Sequence, residues 1–162
     1  MSIVLRPYEV PLLAGLARGD RLRQIADATG TRFKTLDQRR VSLMKRVQVP
    51  NGARLIDLAY REGWLAALAP EPREPLVLTD RKTEILHAVA AGMTNAQIAR
   101  DLGISENTVL DHLKGLYAQL QARTRPHAVA LGHQHRHLQP ARHATRRLAS
   151  AHFLPQLLTP AA

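Results

Sequence analysis

The sequence contains a copy of itself. With no gap and an offset of 73 positions, Leu13 falls on Leu86, Ala17 on Ala90, Gly19 on Gly92 and Gly30 on Gly103. The run Gln24-Ile25-Ala26 falls on Gln97-Ile98-Ala99. Thr35, Leu43, Gln48 and Leu58 fall on Thr108, Leu116, Gln121 and Leu131. The matches occupy small, apolar and turn positions, which a shared fold constrains most. Self-similarity on this scale means that each copy is one supersecondary unit. The copies are read at 1–65 and 78–138. Between them, residues 66–77 carry Pro70, Pro72 and Pro75. Proline removes a backbone donor and disfavours helix in the residue before it, so this stretch is expected to be a semi-rigid, extended linker. After it and the second copy comes a basic tail, 139–162, with Arg142, Arg146 and Arg147.

The second copy predicts four helices. Thr79 caps a helix over 80–91, whose Ile85, Leu86 and Val89 recur at helical spacing. Gly92 stops it. Thr94-Asn95-Ala96-Gln97 has the form of a capping box and opens a short helix to 102. Gly103 supplies a left-handed turn, and Ser105 caps a longer helix to about 121. Val109, Leu113, Leu116 and Leu120 form the inner stripe of that helix. A fourth helix spans about 126–135, with Pro126 at a favoured early position. A short helix, a tight glycine turn and a longer capped helix make a helix-turn-helix, which places its second helix in the major groove of DNA. The expected architecture is all-α, with two four-helix helix-turn-helix units joined by a Pro-rich linker.

Composition agrees with this reading. Hydrophobic residues make up 45% of the 162 and aromatics only 4%, which suits small helical bundles built from Leu, Ile, Val and Ala. The net charge of +10 calls for an anionic partner, either nucleic acid or an acidic membrane surface. No apolar run is long enough to span a bilayer, and the N-terminus lacks the pattern of a secretory signal, so a cytoplasmic protein is expected. The absence of cysteine excludes disulfides and thiolate metal sites.

The stretch Leu78-Thr79-Asp80-Arg81, Ile85-Leu86, Ala90-Ala91-Gly92-Met93-Thr94-Asn95-Ala96-Gln97-Ile98-Ala99, Leu102-Gly103-Ile104-Ser105-Glu106-Asn107-Thr108-Val109 and His112-Leu113 resembles the LuxR (GerE-type) DNA-binding domain. The resemblance implies a four-helix unit that regulates bacterial transcription. The first copy resembles the same family more faintly, through residues 13–19, Gln24-Ile25-Ala26 and 59–64. There are departures. Lys82 stands where family members usually carry Glu. Leu110, and Asp37 in the first copy, stand where they usually carry Lys. Arg40 occupies the inner-stripe position of Leu113. Members usually carry a receiver or ligand-sensing domain as well, for which 162 residues leave no room beside two such units.

Helical spacing puts Glu106, Asn107, Leu110, Asp111 and Lys114 on the outward face of the second copy's recognition helix. Asn suits adenine, Lys guanine and Asp the cytosine amine, and Leu can rest on a thymine methyl. Thr108 and His112 are placed for phosphate, and Asn95, at the start of the preceding helix, joins the DNA-binding set. The matching outward positions of the first copy are Lys34, Asp37, Gln38, Val41 and Lys45, with Thr35 and flanking Arg32 and Arg39. The first copy has 12 basic and 6 acidic residues and the second 7 and 5, so the unit with the fainter motif has the stronger electrostatic footprint. The bland alternative is a merely solvated face, and it weighs most on the two aspartates.

Other chemistry finds little support. His133, His135, His137 and His143 do not present three ligands on one helical face, and no carboxylate or cysteine completes a metal set. No nucleophile–base pair, phosphate loop or paired carboxylates can be identified, so neither an enzyme nor a cofactor is expected. The expected partner is double-stranded DNA, bound by a single chain that pairs its own two units through their fourth helices. Leu55, Ile56, Ala59 and Tyr60 form the apolar face of one, and Ala128, Val129 and Leu131 that of the other. Two other classes stay open. One is an adaptor like sigma-factor region four that acts through RNA polymerase, with Leu148, Phe153, Leu154, Leu157 and Leu158 as a docking element. The other is a structural DNA-binding protein of a plasmid or phage.

Overall fold

A computed structural model describes residues 3–138 of the chain. The basic tail and the docking element read in it lie outside the described residues. Among those described there are eight helices and no strand: α1 (Glu9–Ala17), α2 (Leu22–Ala28), α3 (Phe33–Arg46), α4 (Gly52–Arg61), α5 (Asp80–Ala90), α6 (Asn95–Leu102), α7 (Glu106–Leu120) and α8 (Arg125–Gln134).

Local chemistry sets the helix starts. Thr79 accepts from the Lys82 N–H, Ser105 from Thr108 and Thr124 from His127. Thr94 and Gln97 complete the expected capping box, with the Thr94 N–H donating to Gln97 Oε1 at 2.7 Å. In the first half Asn51 caps α4, but α3 begins at Arg32 with no side-chain cap. Each satisfied cap removes an orphan amide that would otherwise cost about 1 kcal/mol.

Five pairs of helix bounds lie 73 positions apart, and the other three depart from that offset by one or two. Helices α1 and α5 end on Ala17 and Ala90, α2 and α6 begin on Leu22 and Asn95, α3 and α7 on Phe33 and Glu106, and α4 and α8 on Gly52 and Arg125. The left-handed residues correspond too. Gly19 and Gly92 have φ of 79° and 83°, Gly30 and Gly103 61° and 63°, and Gln48 and Gln121 56° and 53°.

One hydrophobic core runs through the molecule. It takes Leu12, Leu13, Leu36 and Leu43 from the first half, and Ile85, Leu86, Ile98 and Leu116 from the second. Units of about 60 residues are marginal alone because they bury too little surface. Here α4 lies against α8, α1 also touches α8, and α4 also touches α5. Leu55, Ile56 and Ala59 of α4 and Ala128, Val129 and Leu131 of α8 are fully buried. The apolar fourth-helix faces read from the sequence are therefore covered within the chain.

Polar contacts fix the seam. Asn51 Nδ2 donates to the Gly92 carbonyl at 2.8 Å, and Arg123 donates to the Arg18 carbonyl at 2.6 Å. Asp57 is fully buried; Arg54 and Arg61 contact its Oδ2 at 2.5 and 2.8 Å, and His133 Nε2 lies 2.8 Å from its Oδ1. A buried carboxylate is tolerable only when partnered in this way.

Residues 69–79 hold no helix, as the prolines require. They also dock on the helices at several points. Leu78 is buried and Leu76 packs on the core, while the prolines and Val77 stay exposed. The Glu71 N–H donates to Gln134 Oε1 at 2.9 Å, and Glu71 Oε1 lies 2.8 Å from His127 Nε2.

Candidate nucleic-acid interface

Helix α7 buries Val109, Leu113, Leu116 and Leu120. That stripe fixes its rotation and leaves Glu106, Asn107, Leu110, Asp111 and Lys114 exposed, with Thr108 and His112 half-buried. Leu110 is 41% exposed, an uncovered aliphatic side chain within a polar face. Lys114 Nζ lies 3.6 Å from Asp111 Oδ1, with both side chains more than three-quarters exposed. So loose an exposed pair is weak and leaves both groups available to a ligand.

Two half-buried members of the face are tied down. Thr108 gives its backbone N–H to Ser105 Oγ at 3.1 Å and shares a 2.9 Å hydroxyl contact with it. Asn95 does not point freely outward, because its Oδ1 accepts from Arg125 Nη1 at 2.9 Å. Arg125 also donates to the Met93 carbonyl at 2.7 Å. Asn95 and Arg125 thereby join the starts of α6 and α8, beside an open cleft of about 450 Å³ that Asn51, Thr94 and Glu106 also line.

In α3 the buried residues are Leu36 and Leu43. Lys34, Gln38, Val41 and Lys45 are exposed, as is the flanking Arg32, while Thr35, Asp37 and Arg39 are half-buried. Arg40, at the counterpart of the buried Leu113, stays out of the core and grips Asp37 Oδ1 through Nε at 3.1 Å and Nη2 at 2.7 Å. Both contacts of that fork fall on Oδ1, which leaves Oδ2 of Asp37 as an acceptor. The Arg39 guanidinium lies 4.4 Å from the centre of the Tyr8 ring, a cation–π contact that orients it.

Three residues outside the sequence-derived set belong to this description. Phe33, 46% exposed, begins α3 where Glu106 begins α7, and Arg23 lies 5.5 Å from its ring centre. Exchange of an acid for an aromatic at offset-related positions was the available signal. Arg125 had none, since its partners Asn95 and Met93 lie some 30 residues away.

His127 and His133 make side-chain contacts within the fold, with Glu71 and Asp57, and His143 lies outside the described residues. The His127 Nδ1 accepts from the Arg123 N–H at 3.1 Å, which leaves Nε2–H to donate to Glu71. Burial holds the His127 pKa below its ordinary value, against the opposing pull of Glu71. Among the described residues no group of three or more His, Cys, Asp or Glu side chains is placed to hold a metal ion. No helix among them is long and apolar enough to cross a membrane.

Comparison with known proteins agrees with α5–α8. Residues 76–131 match the family described as bacterial regulatory proteins, luxR family. This segment matches one LuxR-type helix-turn-helix domain, of a family that binds DNA, and the match does not extend to α1–α4. The chain is similar to the probable transcriptional regulatory protein SgaR of Hyphomicrobium methylovorum, 56% identical over 33% of this chain and 26% of that protein. It is similar to the nitrate/nitrite response regulator protein NarP of Escherichia coli, 45% identical over 37% of this chain and 28% of NarP. It also resembles the transcriptional regulatory protein FixJ of Rhizobium meliloti, 41% identical over 33% of this chain and 26% of FixJ. The chain thus spans under a third of the length of these relatives. No solved structure matched it.

Proposed function

We propose that this chain, whose residues 76–131 form a LuxR-type DNA-binding domain, is a sequence-specific regulator of transcription that binds double-stranded DNA as an intrachain pseudo-dimer. In this reading α1–α4 is a second, divergent helix-turn-helix unit, residues around 66–77 link the two, and α3 and α7 are paired recognition helices. The observation that carries it is the packing of α4 on α8, two helices whose bounds lie 73 positions apart. The reciprocal contacts of α1 with α8 and α5 with α4 support it as well, since an isologous interface pairs each patch with its counterpart.

Asn107, Leu110, Asp111 and Lys114 of α7 read base edges, and Thr108 and His112 approach phosphate. On α3, Lys34, Gln38 and Val41 read bases, while Arg32, Arg39 and Lys45 anchor the backbone. Transcriptional control follows from the regulatory character of the relatives. Asn95 acts indirectly, by holding Arg125.

A net charge of +10 should engage several phosphates. With about six neutralised, log affinity should fall against log salt with a slope near −5. Fluorescence anisotropy of a labelled duplex over a salt series tests this. Absence of binding even at low salt would remove the proposal.

A further inference from the structure

Among the described residues, three buried side-chain nitrogens lack a hydrogen-bond partner: Arg73 Nε, His135 Nε2 and His137 Nε2. Folded chains rarely leave such groups unpaired, because a buried donor without an acceptor forfeits its hydration and gains nothing. The three have one thing in common: Arg73, His135 and His137 all line the same cavity, of about 140 Å³. Its walls are the segment Arg73–Leu76, the end of α7 with Gln121, and the turn after α8. The three residues that carry these unmatched side-chain nitrogens therefore meet at one cavity, large enough for a ligand of a few heavy atoms.

The chemistry of the three selects the ligand. Arg73 Nε–H can only donate. The rest of that guanidinium is engaged, Nη1 with Gln121 Oε1 and Nη2 with Glu71 Oε2, so its plane is fixed. Each imidazole can present an N–H at Nε2, and a charged imidazolium must. Three unpaired donors on residues that line one cavity, one of them on a permanent cation, call for an acceptor-only partner. Glu74, exposed, is the one carboxylate on the cavity lining, and Glu71, off the lining, already pairs with Arg73 Nη2. A metal ion does not fit, since the guanidinium would repel it and no third ligand is assembled.

We propose that this cavity is a binding site for a small oxyanion, a phosphate or carboxylate group, held by Arg73, His135 and His137. Because Arg73 belongs to the connecting segment and both histidines to the turn after α8, the bound anion would tie the connection to the end of α8. Burial and the neighbouring His135 both hold the His137 pKa down, and an anion between the two rings would reverse that trend.

The test is a phosphate titration of the full chain at constant ionic strength, followed through the imidazole NMR signals of His135 and His137 and through the thermal midpoint. Chloride and acetate serve as comparison anions. Saturable shifts of both histidines with phosphate or acetate, stronger at pH 6 than at pH 8, and a rise in midpoint are expected. Phosphate acting alone would assign a phosphate-type ligand, and acetate acting equally well a carboxylate. Arg73→Gln should weaken the apparent affinity about tenfold or more, as loss of a charge-assisted donor does. His137→Gln, which retains a donor, should weaken it and remove most of the pH dependence. Circular dichroism confirms that each variant is folded, and an unfolded one is replaced by Arg73→Lys, read in the same way. Shifts that do not saturate, that chloride reproduces, or that persist unchanged in the variants would overturn the proposal and leave a cavity filled by water.

Discussion

Tyr60 and His133, 73 positions apart, stack on one another with ring centroids 5.0 Å apart and planes inclined by 6°. The Tyr60 hydroxyl accepts from Gln134 Nε2 at 2.7 Å, and His133 Nε2 reaches Asp57 at 2.8 Å. Residues related by the repeat offset thus meet face to face where α4 crosses α8. In a two-fold interface only residues near the axis touch their own counterparts. Truncating this pair should loosen the seam between the halves. Tyr60→Phe keeps the stack, loses one hydrogen bond, and should cost about 1 kcal/mol. Tyr60→Ala loses the ring as well and should cost about 2–3 kcal/mol. Urea denaturation followed by circular dichroism measures both, and equal midpoints for Tyr60→Ala and the parent would show that the stack contributes nothing.

Close approach at the seam makes a second prediction. A Cβ on Gly92 would lie 2.9 Å from Pro50 Cγ and 3.0 Å from Arg54 Cβ, and one on Gly19 would lie 2.4 Å from His127 Nδ1. Both glycines also have positive φ. Strain and overpacking together should make Gly19→Ala and Gly92→Ala cost about 2–4 kcal/mol each. Gly103→Ala, with open space around its Cβ, should cost only about 1 kcal/mol. Equal losses at all three would mean that the seam is not closely packed in solution.

The buried histidines set a pH dependence. Burial lowers the pKa of both His127 and His137 below 6.5, so in the acid range the unfolded chain binds more protons than the folded one. Stability should therefore fall as pH drops below about 6.5 and onward through the folded-state values. A second loss should follow at lower pH. Burial pushes the Asp57 carboxyl up, but the bonds from His133 and Arg61 outweigh it and hold it below its usual 3.8. The stability this gives is present above that value and disappears as pH falls through the depressed one. Urea midpoints from pH 8 to pH 4 should show the first decline, and His127→Gln should flatten it. A profile with no decline between pH 7 and pH 5 would contradict the assignment.

Much of this was legible because it depends on near neighbours. Thr94 with Gln97, Ser105 and Gly103 act within one turn of their own positions, and the helices begin and end where those residues require. The apolar stripes of α4 and α8 were also plain, since helical spacing exposes a face that has to be covered. What stayed hidden depends on groups distant in the chain. Glu71 bonds to Gln134 and His127, 63 and 56 positions away, and a Pro-rich composition carries no sign of that docking. Asp57 was overlooked although Arg54 and Arg61 flank it at helical spacing, a pattern that looks the same on a solvated face. The Arg40 fork on Asp37 depends on side-chain rotamers, which residue type alone does not give.

The interface predicts unequal roles for its charges. Lys114→Ala should weaken binding to the preferred duplex by about 1–3 kcal/mol and relax preference at one base pair. Arg39→Ala should weaken all sequences about equally, as loss of a phosphate contact does. Asp37→Asn should change sequence preference less than Lys114→Ala does, because Arg40 already engages one oxygen of that carboxylate. Selection from random duplexes reads all three. An unchanged motif and affinity for Lys114→Ala would show that α7 does not read bases in the proposed way.

The central claim is that one chain supplies both halves of a DNA-binding pair. The recognition helices differ, Lys34, Gln38 and Val41 facing outward on one and Asn107, Leu110, Asp111 and Lys114 on the other. The two half-sites should then differ in sequence and lie about one helical turn, ~34 Å, apart. The deciding measurement is the mass of the complex formed on a duplex selected from random sequence, by light scattering, with footprinting of the same duplex. The account predicts one 18.0 kDa chain on an asymmetric site. Two chains on a symmetric site would contradict it.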